Sequence, residues 1–126
     1  FNDDDANKAS AQVNAVVARA PDLAGIFGAN LFSAIGSADG VKAMGKSGEI
    51  KVVAFDAPTR IVDDLKSGLV DMAIAQHPAE IGYMGVMVAF GHVTGNPVPV
   101  SVGTGFTVMT ADNIDDPDIS KYVYSD

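Results

Sequence analysis

Apolar positions along the chain alternate between two spacings, one suited to helices and one to buried strands. From Ala6 to Ala20 they fall at Ala9, Val13, Val16, Val17 and Ala20, three to four residues apart, as on one helix face. Asp5 stands where an N-cap belongs, and Pro21-Asp22 ends the run. Leu23 to Ala29 is a short continuous apolar stretch closing on Asn30, which predicts a buried strand. Helical spacing returns from Leu31 to Met44 through Ile35, Ala38 and Val41, with Gly45 as the C-terminal stop.

The cycle then repeats. Gly48-Glu49 turns into the strand Ile50 to Phe55, which ends at Asp56. Pro58 suits the first turn of a short helix carrying Ile61 and Leu65 and closed by Gly68. Asp71 to Ala75 predicts a third strand, ending at Gln76, and Ala79 to Val93 an apolar helix bearing Gly82, Gly85 and Gly91. Val98 to Val102 and Phe106 to Met109 predict two last strands, parted by Gly103-Thr104-Gly105. Strands alternating with helices at this spacing imply βαβ units, hence an α/β fold with a mostly parallel sheet flanked by helices in a three-layer, Rossmann-like lobe. The stretch Gly95 to Pro99 reads as a loop entering a strand, not a domain boundary.

Composition narrows the function. The 126 residues suit one small domain, and the hydrophobic fraction of 48% is ample for a core, without a stretch long enough to span a bilayer. Cysteine is absent, which excludes disulfides, thiol nucleophiles and cysteine zinc sites. Sixteen acids against eight bases give a formal charge of −8, a field that repels nucleic acid and anionic membrane surfaces. The acids gather at the ends, Asp3 to Asp5 at one and Asp112, Asp115, Asp116, Asp118 and Asp126 at the other, and read as solvated ends and caps, not a metal site. The first residue is Phe1, which fits either a removed export signal or a start inside a longer chain.

In open parallel sheets, ligands bind outside the carboxyl ends of the strands. Asn30, Asp56 and Gln76 stand there, one per β-α unit, and together they offer the acceptors and donors that a polyhydroxylated ligand needs. The plain alternative is that each caps the helix that follows. Catalytic constellations are thin: His77 and His92 have no serine elbow, no cysteine and no second histidine at ligand spacing. Gly103-x-Gly105 lacks the third glycine of a dinucleotide fingerprint, and Gly45-Lys46-Ser47 follows a helix where a phosphate loop would follow a strand. The expectation is a binding protein, not an enzyme, with no cofactor and no metal.

Four passages resemble a known family. Pro21-Asp22-Leu23-Ala24-Gly25-Ile26-Phe27 running to Asn30 is similar to its first such strand, and Val52-Val53-Ala54-Phe55-Asp56 to the next. Gly68 to Gln76 followed by Pro78 and Ile81-Gly82, and Val108-Met109-Thr110 followed by Asn113-Ile114-Asp115-Asp116-Pro117, resemble its later passages. The family is that of ribose- and galactose-type periplasmic binding proteins, whose core is shared with lactose-repressor-like regulators. The resemblance implies that Asn30, Asp56 and Gln76 contact sugar hydroxyls. Ribose-type members place acidic residues after the asparagine and often an aromatic near the position of Asp4. Here Leu31 and Phe32 follow Asn30, and either Phe1 or Phe32, or neither, takes the place of that aromatic; Asp4 and Phe32 join the expected site and the sugar need not be ribose.

By the same resemblance the chain is the carboxy-terminal portion of a two-lobe protein, incomplete as it stands. Residues 1–76 would belong to the carboxy-terminal lobe, 77–105 would cross to the other lobe, and 106–126 would bring back a strand and tail. The implied function is the solute-binding component of an ABC importer, periplasmic or, as a lipoprotein, extracellular and membrane-associated. Its partners would be a monosaccharide or polyol, the membrane permease, and the missing amino-terminal lobe or a second copy of the chain. Two alternatives remain at this point. The effector-binding core of a lactose-repressor-like regulator lacks encouragement from the acidic charge, and a flavodoxin-like or receiver domain lacks its acidic pocket and phosphate loop.

Overall fold

The computed structural model describes residues 1–124; Ser125 and Asp126, the last acid of the terminal cluster, lie outside the described residues. Helix α1 spans Ala6–Arg19, capped by the Asp5 carboxylate accepting the Lys8 N–H, and it buries Ala9, Val13 and Val17. Val16, on the expected inner face, is 38% exposed. Strand β1 is Gly25–Gly28, and α2 follows over Leu31–Ala43 with the Asn30 side chain accepting the Ser33 N–H. Helix α2 buries Ala34, Gly36, Ser37, Ala38, Gly40 and Val41, more than one stripe, because it lies between α1 and the sheet. Two glycines permit this. A Cβ on Gly36 would sit 2.5 Å from the Ala9 Cβ, and one on Gly28 would collide with the backbone of Ala34.

Strand β2 (Lys51–Phe55), helix α3 (Thr59–Lys66) and strand β3 (Met72–Gln76) continue the alternation, followed by α4 over Pro78–Val93, β4 over Phe106–Met109 and a short α5 over Pro117–Ser120. The sheet order is β1-β2-β3-β4; β1, β2 and β3 are parallel, and β4 is antiparallel to β3. Alternation along the strands separates two faces. Val52, Ala54, Ala73, Ala75 and Met109 are fully buried, in one cluster with Ala34, Ala38 and Val41 of α2 and Ile61 and Leu65 of α3. On the opposite face Phe27, Met72, Phe106 and Val108 are exposed and Val53, Phe55 and Ile74 half-buried. The α/β class and mostly parallel sheet are as expected. Among the described residues β1 has a neighbouring strand on one side only, and the face carrying Phe27, Met72, Phe106 and Val108 is left exposed.

Three details differ from the sequence reading. Val98 to Val102 forms no strand, since Pro97 and Pro99 lack the N–H that a ladder requires. Pro58 is the N-cap of α3, one position before the first turn, where it is buried and bridged to Tyr124. Helix α5 was not anticipated, although Asp116 caps it by accepting the Asp118 N–H and Pro117 opens it.

Helices α2 and α3 are tied by Arg60, which donates to Asp39 at 2.7 Å and to Asp64 at 2.8 Å. The two partners of the second bond disagree in sign. Its hydrogen bonds to Asp64 and Asp39 raise the pKa of Arg60, a favourable pairing, whereas burial, only partly offset by Arg60, raises that of Asp64. The Asp64 side chain is only 10% exposed and that of Arg60 42%, so desolvation weighs on the acid. A carboxyl with a raised folded-state pKa binds more protons folded than unfolded, so its stability contribution falls as pH rises through the acid range and is flat above it. Relative to Asp64→Asn, the parent should therefore lose stability as pH rises through that window. Arg60→Ala, which strands Asp64, should cost about 1–2 kcal/mol. Urea unfolding of the intact protein at a series of pH values checks both; an Asp64→Asn difference that does not vary with pH would refute the first.

Candidate ligand-binding edge

The parallel register of β1, β2 and β3 decides where their ends fall. Gly28 pairs with Ala54, and Phe55 with Ile74. Asn30, just past β1, Asp56, just past β2, and Gln76, the last residue of β3, therefore share one edge of the sheet, at the carboxyl ends of adjacent strands. Gln76 Nε2 donates to Asp56 Oδ1 at 2.7 Å. The Asp56 N–H donates to the Ile74 carbonyl at 3.0 Å, which fixes the backbone turn.

The capping alternative can be judged residue by residue. It holds for Asn30, whose side chain caps α2. For the other two it fails, since the N-caps of α3 and α4 are Pro58 and His77, neither with a side-chain cap bond. Asp56 also sits at φ +77, a left-handed conformation uncommon outside glycine, which aspartate tolerates at a cost of about 1 kcal/mol. Its carboxylate is thus held beside Gln76 at some expense in backbone energy, with no helix to serve.

Asp4 meets the same edge from the other side. It stands at φ +54 before α1, and its Oδ1 accepts from Asn30 Nδ2. Asn30 therefore both caps α2 and engages Asp4. Phe32 lies in the first turn of α2, 45% exposed, and Phe1 is fully exposed with its carbonyl accepting from Gln12. Sequence reasoning missed one aromatic. Phe106 pairs in register with Gln76, so the antiparallel β4 brings it to the same edge, 66% exposed. Its place at this edge follows from strand direction, which the spacing of residues does not reveal.

A concavity of about 690 Å³ lies elsewhere in part. It holds Asp4 and Asn30 but runs between α1 and the outer side of β1, over Val16, Ile26 and Phe27, and includes neither Asp56 nor Gln76 nor Phe32. Its walls combine an unpartnered strand edge and apolar side chains with polar ones, Asn2, Asp3, Gln12, Ser33 and Ser37 among them. The strand edge is a template for a further strand. His77 is half-buried and bonded to Thr107, while His92 is exposed near the end of α4. No helix among the described residues is long and apolar enough to cross a membrane.

A family model described as a periplasmic binding protein domain matches residues 1–97. The chain belongs to this family. A periplasmic binding protein fold also explains the likeness to solved structures. One is an ABC transporter solute-binding protein from Agrobacterium vitis bound with α-D-tagatopyranose; it is 62% identical over 100% of the chain, with a TM-score of 0.94. A second from Agrobacterium vitis, with bound D-fucose, is 30% identical over 98% of the chain, TM-score 0.88. A carbohydrate transporter solute-binding protein from Agrobacterium radiobacter, in complex with D-arabinose, is 28% identical over 95%, TM-score 0.86. Among curated proteins none matches. The chain spans 42%, 43% and 41% of these three structures' own chains, so this periplasmic binding protein segment is less than half of such a molecule. The open face and bare edge of the sheet accord with that fraction. All three are described as transport components, which favours the solute-binding reading over a regulator.

Proposed function

We propose that this chain belongs to the solute-binding component of an ABC importer, which holds a monosaccharide or polyol in the periplasm and passes it unchanged to a membrane permease. The observation that carries the proposal is the chain-wide likeness, at 62% identity, to a solute-binding protein bound with α-D-tagatopyranose. The edge formed by Asn30, Asp56 and Gln76 is the proposed sugar contact. Asp56 accepts from a ring hydroxyl in a charge-assisted bond while Gln76, held by Asp56, both donates and accepts. Asp4 presents a second carboxylate beside Asn30, and Phe32 stands near enough in the chain to offer an apolar face. Residues 77–105 are proposed to cross to the other lobe and 106–126 to return as strand and tail, so the sugar would be closed between two lobes.

A pyranose with the hydroxyl pattern of D-tagatose is the proposed ligand. Calorimetric titration of the intact protein should show one saturable site for D-tagatose, with weaker or no binding of D-fucose and D-arabinose. A stabilised melting transition should accompany it, because a ligand that binds only the folded state stabilises by mass action. Absence of heat and of stabilisation with every monosaccharide and polyol tried would overturn the proposal.

A further inference from the structure

The chain leaves the sheet at Gln76, turns at His77 and runs out as α4, then returns through Gly105 into β4. None of the 16 residues of α4 is buried, and Tyr83, Val86, Phe90 and Val93 are each more than 60% exposed. Little along its length holds its direction. The start of this excursion and the strand that ends it, however, meet at one side chain. His77 Nε2 lies 2.8 Å from Thr107 Oγ1 on the returning strand. Gly105, at φ +76, passes so close that a Cβ there would sit 3.3 Å from His77 Nδ1. The opposite end of the chain closes the clasp: the Tyr122 ring, just after α5, stacks on the imidazole at 3.8 Å and 11°.

We propose that His77, Thr107 and Tyr122 form a joint that sets the direction in which α4 leaves the sheet, with His77 as its positioning residue. Three residues from two segments far from His77 in sequence converge on its imidazole, and each meets a different part of it: Thr107 an edge nitrogen, Gly105 the other edge, and Tyr122 a face. The backbone at His77 is not yet helical, at φ −105 and ψ 79, and its side chain makes no cap bond; Pro78 and the Ile81 N–H on the His77 carbonyl limit its backbone, and these side-chain contacts add the link to the returning strand. Hinges are typically a few element-terminal residues of this sort. Gln76, one residue away, is bonded to Asp56, so a rotation of the joint reaches the proposed sugar contact directly.

The test uses the intact protein with spin labels at two exposed positions, Asp63→Cys on α3 and Ala89→Cys on α4. Without ligand, the distance distribution should be narrow in the parent and broader in His77→Ala and Thr107→Val. His77→Phe, which keeps the stack but loses the bond, should fall between. Amide exchange at residues 77–80 and 105–107 should quicken in parallel. A second arm, which rests on the sugar-binding reading, follows D-tagatose release by stopped flow. There His77→Ala should speed dissociation roughly three- to tenfold, as loss of one neutral bond and its packing allows, with a smaller change in association. Unchanged distance distributions in folded variants, even with lowered melting temperatures, would reduce His77 to a space-filling residue and overturn the inference. Should His77→Ala not fold, Thr107→Val alone decides. A parent that does not bind D-tagatose would count against the sugar reading only, because the ligand-free arm stands without it.

Discussion

Asp56→Ala should weaken D-tagatose binding by the intact protein roughly ten- to hundred-and-fifty-fold, whereas Asp112→Ala should leave affinity within about twofold. The difference rests on what each carboxylate does in the fold. Asp112 is exposed beyond the end of the antiparallel β4, at the edge of the sheet opposite Gln76; its removal subtracts a surface charge from a chain of net charge −8. Asp56 stands at the strand-end edge and holds Gln76 through its Oδ1. Alanine there removes a charged acceptor, worth about 1.5–3 kcal/mol, and leaves the Gln76 amide without its partner. Alanine is also less tolerant of φ +77 than aspartate, so some loss of fold stability should accompany the loss of affinity. Asp56→Asn separates the two effects: asparagine accepts the left-handed backbone and keeps the size but not the charge, so its affinity should fall while its unfolding midpoint holds. Calorimetry on the three variants settles the matter. Equal affinities for Asp56→Ala and Asp112→Ala would remove Asp56 from the site.

How far the sequence could lead is clearest at particular residues. Strands β1, β2 and β3 were legible because each is a short apolar run closed by a polar residue, and that closing residue is what a parallel sheet delivers to its ligand-facing edge. The Asp56–Gln76 bond was not legible, since it depends on register between strands about 20 residues apart. Nor was the left-handed backbone of Asp56, which one residue type in a turn does not announce. Val98 to Val102 misled for the opposite reason: valines at alternate positions imitate a strand, while the neighbouring prolines remove the donors that would build it. Phe106 went unassigned because the direction of β4 depends on the path of the preceding excursion. Helix α5 is four residues long, too short for periodicity to register.

Expressed alone, the 126-residue chain should not sediment as a monodisperse monomer. Three surfaces argue for association. The outer edge of β1 has unpaired backbone groups beside the slot that runs along it, a ready template for another strand. One face of the sheet exposes Phe27, Met72, Phe106 and Val108. Helix α4 adds Ile81, Tyr83, Val86, Met87 and Phe90, all more than 40% exposed. An apolar helix of this composition reads as one that is packed on several sides, yet here no residue of it is buried. Soluble monomers rarely leave contiguous apolar patches beyond a few hundred Å². A second copy of the chain, or the remainder of a two-lobe protein supplied in trans, would satisfy the strand edge and the helix at once. Sedimentation over a range of concentrations should therefore show dimers or larger species. Val86→Lys with Phe90→Glu, charges set into the exposed side of α4, should shift the distribution toward monomer without lowering the helix content, because neither side chain is part of the core. Even the associated chain should bind D-tagatose weakly, since it presents one lobe's hydroxyl partners. A concentration-independent monomer that binds D-tagatose as tightly as the intact protein would show that the 126 residues form a self-sufficient unit.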